Sequence, residues 1–153
     1  MVKKCCVIKL LRELGIRSNF KSFDERLLAQ KIIYLAQSLF NIDFGYKFVW
    51  HIRGPYSKAL SKDLRAYSSK TLCECNDLSR DSITKIITLI NELRSASKGL
   101  SHSVEVLASY VMLTRDVYPR SQDPYKDLTS KKPYITYEDV NEVLSIARKY
   151  VVI

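Results

Sequence analysis

Apolar residues recur at helical spacing along almost the whole chain, and only over 46–53 does the period fall to two. There Tyr46, Phe48, Trp50 and Ile52 alternate with Lys47, Val49, His51 and Arg53, as a half-buried strand requires. Elsewhere the spacing predicts helices over 3–14, 23–40, 55–66, 80–97, 103–118 and 138–150. Two of these are apolar on two flanks. Helix 23–40 has Leu28, Ile32, Leu35, Ala36 and Leu39 on one flank and Ala29, Ile33 and Phe40 on the other. Helix 103–118 has Val104, Leu107, Ala108 and Val111 opposite Val106, Tyr110, Leu113 and Val117. Arcs this wide belong in a core.

Local signals set the expected boundaries. Gly15 stops the first helix, whose buried stripe is Val7, Leu10, Leu11 and Leu14. Ser22 with Glu25 forms a capping box, Thr136 with Asp139 caps the last helix, and Ser101 or Ser103 is expected to cap the helix before it. Gly54 ends the strand and Pro55 starts a helix at a position where its missing N–H costs nothing, with Tyr56, Leu60, Leu64 and Tyr67 inward. A second short strand is expected over 71–75, and the stretch holding Pro119, Pro124 and Pro133 reads as irregular with one short turn at 124–130. The expected fold is mainly α: one multi-helix domain with a small two-stranded β element. Residues 1–75 are winged-helix-like, and 76–153 form a helical part packing on them.

With 46% hydrophobic and 27% charged residues the 153-residue chain is long enough to bury a core. No stretch approaches the roughly 18 apolar residues of a membrane span, and Lys9 and Arg12 interrupt the N-terminal apolar run too early for a signal peptide. A cytoplasmic protein without membrane attachment is therefore expected. Its net charge is +9. Residues 1–70 hold 14 Lys and Arg against five acidic residues, whereas residues 71–153 balance at 11 and 11, so the entire excess is N-terminal. An electrostatic footprint for a polyanion must lie there.

The best local candidate is helix 55–66. Lys58, Lys62 and Arg65 project opposite its apolar stripe, and Lys47 and Arg53 precede them on the strand. Together these five form a candidate phosphate-contacting surface, although a solvated helix face has the same pattern. Nothing resembles an array of side chains placed for base reading. The turn Gly54-Pro55-Tyr56-Ser57 has a structural explanation in a permissive glycine, a helix-starting proline, an inward aromatic and a first-turn hydroxyl; free amides there would also suit an anion.

Cys5, Cys6, Cys73 and Cys75 make four sulfurs in two pairs. Three readings remain open: a zinc site, for which the spacing is poor; a disulfide between the pairs, disfavoured in a reducing cytoplasm; and unreacted thiols. His51 and His102 have no nucleophile or ligand set near them in sequence, and the four glycines form no phosphate loop. A non-enzymatic protein without a cofactor is expected.

The segments Gln30-Lys31-Ile32-Ile33-Tyr34-Leu35 and Tyr46 to Leu64, with Gly54-Pro55-Tyr56-Ser57 inside it, resemble the small prokaryotic proteins called YwgA-like, and more distantly the phage-associated SocA/Panacea antitoxin domains. Val104 to Ser109 and Lys132-Pro133 extend the likeness, which covers about 25–115. The resemblance implies a mainly helical domain with no catalytic residues to carry over, in a toxin–antitoxin, phage or regulatory setting where Panacea-like members neutralise a protein toxin. Two functions follow as expectations: a nucleic-acid-binding regulator, of DNA foremost, or a protein-interaction module of antitoxin or adaptor type that meets an acidic partner. The alternating strand could also pair across a homodimer.

Overall fold

The computed structural model describes residues 3–16, 19–67 and 74–153. Among them run α1 (Lys4–Glu13), α2 (Phe23–Phe40), β1 (Val49–His51), β2 (Gly54–Tyr56), α3 (Lys58–Ala66), α4 (Arg80–Arg94), α5 (Gly99–Arg115), α6 (Pro124–Lys131) and α7 (Tyr137–Ala147). The protein is mainly helical with a small two-stranded antiparallel sheet, as the periodicity predicts.

Helix α5 is the axle. It packs against α2, α4, α6, α7 and β2, and both of its apolar flanks are buried from Val104 to Leu113. The α1 stripe Val7, Leu10, Leu11 and Leu14 joins the same core, as do Ile86, Leu89 and Ile90 of α4 and Val140, Val143 and Leu144 of α7. Helix α2 buries Ile32, Ile33, Leu35 and Ala36 as expected, and also Gln30 and Lys31, which apolar spacing does not anticipate.

Several boundaries follow their signals. Ser22 Oγ accepts from the Glu25 amide at 3.1 Å, and Gly15, at φ +80°, follows α1 in the left-handed conformation that ends helices. The short turn expected at 124–130 is the helix α6, with Pro124 in its first turn and Asp123 accepting from the Lys126 amide.

Two expectations are corrected. Pro55 does not start a helix: it lies in β2 opposite Trp50, and α3 begins three residues later with Ser57 as N-cap, accepting from the Leu60 amide at 3.2 Å. Bonded and non-bonded pairs alternate in an antiparallel ladder, so a proline fits a strand wherever its nitrogen faces away from the partner. Gly54, at φ +99°, lets the chain return after the two-residue turn Ile52-Arg53, and Ile52 therefore stands exposed at the tip rather than inward. Both described strands precede α3. Of the second strand expected over 71–75, residues 71–73 lie outside the described residues, and Glu74-Cys75 belong to no strand. Finally, neither Ser101 nor Ser103 caps α5. Lys98 is its N-cap, with no side-chain hydrogen bond, and Ser103 Oγ donates back to Gly99 O at 2.7 Å.

The described cysteines are oxidised. Cys6, buried on α1, is bonded to Cys75 with Cα atoms 5.0 Å apart, and Cys5 is also in a disulfide. Cys73 lies outside the described residues. Sulfurs bonded to one another do not ligate zinc, and no cluster of three or more potential metal ligands occurs among the described residues. The reading of these residues as thiols is therefore replaced by the disulfide alternative.

The last helix is held by a charge cluster. Asp139 accepts from the Thr136 amide, Lys98 Nζ and His102 Nε2, each at 3.0 Å, while its own amide donates to Thr136 Oγ1. Burial alone would raise the Asp139 carboxyl, but the Thr136 amide, the Lys98 ammonium and the His102 ring outweigh it and bring it from 3.8 to about 2. A carboxyl depressed in the folded state stabilises it above the unfolded pKa, and that contribution disappears as pH falls through the folded value. Asp139→Asn should flatten the loss of stability between pH 4 and pH 2 in urea melts recorded against pH. Removing the staple with Cys75→Ala should lower unfolding stability by less than the roughly 4 kcal/mol of an isolated closure across 69 positions, because Cys5 keeps its own disulfide, measured by denaturant titration without reductant.

Candidate nucleic-acid interface

The cationic helix face depends on polar residues of α2. Gln30, buried, donates from Nε2 to Ser57 O at 2.8 Å and accepts from Ser57 N at 3.0 Å. Seven residues on, Gln37 donates to Tyr46 O at 2.9 Å and accepts from Tyr46 N at 3.2 Å. A primary amide has one donor and one acceptor edge and can satisfy a backbone residue as a strand partner would. The two amides, two turns apart on one helix, grip both ends of the segment that carries the hairpin. Since Ser57 is also the N-cap of α3, Gln30 fixes where that helix begins.

From this anchor α3 presents Leu60, Ser61 and Leu64 to the core and Lys58, Lys62 and Arg65 to solvent. These three cations line one open cleft of about 550 Å3 together with Tyr56, Ser61 and Ala66. Tyr56 is half-buried, its ring 5.3 Å from that of His51 across the hairpin and tilted 34° to it. The expected group of five is only partly assembled. Lys47 is exposed ahead of β1 and Arg53 sits in the hairpin turn with its guanidinium 5.2 Å above the Phe23 ring, and neither lines the cleft. In the turn motif, Gly54 and Pro55 are buried and Ser57 is a cap, so its amide is committed to Gln30.

Charge pairing divides the molecule in two. The cations of the described ion pairs are Arg80, Lys85, Lys98, His102, Lys132 and Lys149, all beyond residue 79. Lys58, Lys62 and Arg65 have no ion-pair partner among the described residues. Their positive charge is left to solvent and counterions, the condition under which a phosphate backbone gains most by displacing them.

Beneath the hairpin a separate polar network ties β2 to the helical core. Lys132, nearly inaccessible, donates to Glu105 Oε2 at 2.8 Å and to Ile52 O at 3.3 Å, and Tyr134 OH donates to the same carboxylate oxygen. Burial would raise Glu105, but the hydrogen bonds from Lys132 and Tyr134 prevail and hold its carboxyl below the usual range. A Cβ at Gly54 would stand 3.6 Å from Lys31 Cε and from Ser109 Oγ, in ordinary van der Waals contact, so the positive φ rather than crowding favours glycine there.

The sequence reading missed Gln30, Gln37, Lys31 and Lys132 as organising residues. A signal existed: two of the chain's three glutamines fall seven apart on a helix apolar over two flanks. Gln30→Ala should leave the buried Ser57 N–H unpaired, while Ser57 O keeps its bond from the Ser61 amide, and cost about 2 kcal/mol, read as a lower urea midpoint at unchanged slope.

Compared with protein-family models, curated proteins and solved structures, the chain matches none of them.

Proposed function

We propose that this protein is a non-enzymatic regulator that binds nucleic acid, duplex DNA foremost, through the phosphates. The observation that carries the reading is the cleft in which Lys58, Lys62 and Arg65 stand together without ion-pair partners among the described residues. Three cations on successive turns of one rigid helix span a distance comparable with neighbouring phosphates along a strand. Tyr56 at the edge of the same cleft offers a ring against which sugar or an exposed base can pack. The absence of a helix long and apolar enough to cross a membrane, among the described residues, agrees with a partner in solution. Residence in a cytoplasm, together with Cys6–Cys75, suits a host whose intracellular proteins keep disulfides, as in hyperthermophiles.

The second reading is a prokaryotic protein-interaction module of antitoxin or adaptor type. It is favoured by apolar side chains on the hairpin, Val49 at 62% and Ile52 at 82% exposed, and by the resemblance of the Gln30 and Gly54 segments to Panacea-like domains. Purification from the native host with and without nuclease separates the two, because nuclease releases partners tethered only through nucleic acid.

The direct test is the salt dependence of DNA affinity. Each phosphate neutralised contributes about −0.9 to the slope of log K against log salt, so replacing Lys58, Lys62 and Arg65 together by alanine should reduce its magnitude by about 3. Fluorescence anisotropy over a salt series reads this directly. An affinity independent of salt, or a slope unchanged by the triple substitution, would refute the proposal.

A further inference from the structure

Between α2 and α5 lies a second cleft, of about 340 Å3, lined by Asp24, Leu27, Leu28 and Lys31 of α2 and by Ser101, His102 and Glu105 of α5. Lys31 is only 8% exposed, and its ammonium has no hydrogen-bond or ion-pair partner among the described residues. The ammonium nitrogen itself keeps some contact with solvent, and Glu105 and Asp24 act on it from nearby without bonding to it, so a ligand entering the cleft can become its bonded partner. The nearby carboxylate of Glu105 is already engaged by Lys132 and Tyr134. The cleft also meets the first turn of α5, a 17-residue helix whose N-cap Lys98 makes no side-chain cap, so the amides of Leu100 and Ser101 are without a capping side chain. Unpaired first-turn amides and the positive end of the helix dipole favour an anion.

We infer that this cleft binds a small organic carboxylate, whose anionic end is held by Lys31 and the first turn of α5 and whose short hydrocarbon body lies on Leu27 and Leu28. The charge of the walls selects a monoanion. Asp24 and Glu105 face the same space, which would oppose the second charge of a phosphate, while one negative charge is balanced by Lys31. Ser101 adds a hydroxyl at the rim, and His102 is oriented by its bond to Asp139. Burial holds the Lys31 ammonium below the usual lysine range, with Lys132 and Arg53 adding to the effect and Glu105 and Asp24 opposing it. A bound carboxylate supplies the directly bonded partner that Glu105 and Asp24 do not. This site is separate from the α3 cleft and does not depend on DNA binding.

The test titrates the full chain with propionate, its uncharged analogue propionamide, and inorganic phosphate, following amide resonances by NMR. Propionate should shift Leu28, Ser101 and His102 saturably, with a dissociation constant of roughly 1 mM as expected for so few atoms. Propionamide at equal concentration should not, and Lys31→Met should weaken propionate binding at least tenfold. Should Lys31→Met fail to fold, the residue-resolved comparison of propionate with propionamide in the unaltered protein decides alone. Equal shifts from propionamide, propionate shifts confined to other surfaces, unchanged affinity in folded Lys31→Met, or tighter binding of phosphate would each overturn the inference.

Discussion

Two side-chain amides on α2 hold the arrangement on which everything else at this surface depends. A two-stranded hairpin is at best marginally stable by itself, and β1 and β2 have only three residues each. Gln37 pairs with the backbone of Tyr46 before the hairpin and Gln30 with that of Ser57 after it, so α2 acts as an additional strand partner at both ends. Their geometry fixes the hairpin direction and, through the Ser57 cap, the axis of α3. The cationic face therefore inherits its orientation from the most buried helices rather than from a flexible loop.

The second support comes from α5 and the segment after α6. The Lys132 ammonium bridges Glu105 of α5 to the carbonyl of Ile52 at the hairpin turn, across 80 positions of sequence. A buried ion pair contributes little net stability once desolvation is counted, but breaking it leaves a charge stranded. Its main consequence here is positional, because the hairpin tip cannot shift along α5 without losing it. Phe23 beneath Arg53 meets the same turn from the α2 side.

How much was legible in the chain follows from which interactions are local. The helices, the caps at Ser22 and Thr136 and the inward stripe Leu60, Leu64 and Tyr67 rest on neighbours three or four residues apart, so spacing reveals them. The return strand at Gly54-Pro55-Tyr56 was hidden, because a proline after a glycine carries the same local message for a helix start as for an edge strand and only the partner Trp50 distinguishes them. The α5 start was misread for a related reason: serines at 101 and 103 favour a cap, but Gly99, at φ +82°, already turns the chain into the helix. The cation cleft was half visible. Helical spacing groups Lys58, Lys62 and Arg65, whereas strand alternation cannot tell that the chain turns at Ile52 and takes Arg53 away toward Phe23. The pairing of Cys6 with Cys75 lies wholly in tertiary geometry.

Basicity alone says little about a partner, since lysines often serve only to keep a surface soluble. What gives the +9 of this chain its weight is its unequal neutralisation. The balanced C-terminal part pairs some of its cations internally, at Lys98 with Asp139, Lys132 with Glu105 and Lys149 with Glu92. On α3 the cations face solvent beside one another, and the single acid of that helix, Asp63, accepts from Tyr46 OH at 2.6 Å instead of pairing with them. That bond satisfies a tyrosine whose hydroxyl burial and the Asp63 carboxylate together hold in its neutral form. The negative charge of Asp63 is thus turned toward the core side of the helix, and the outer face presents cations.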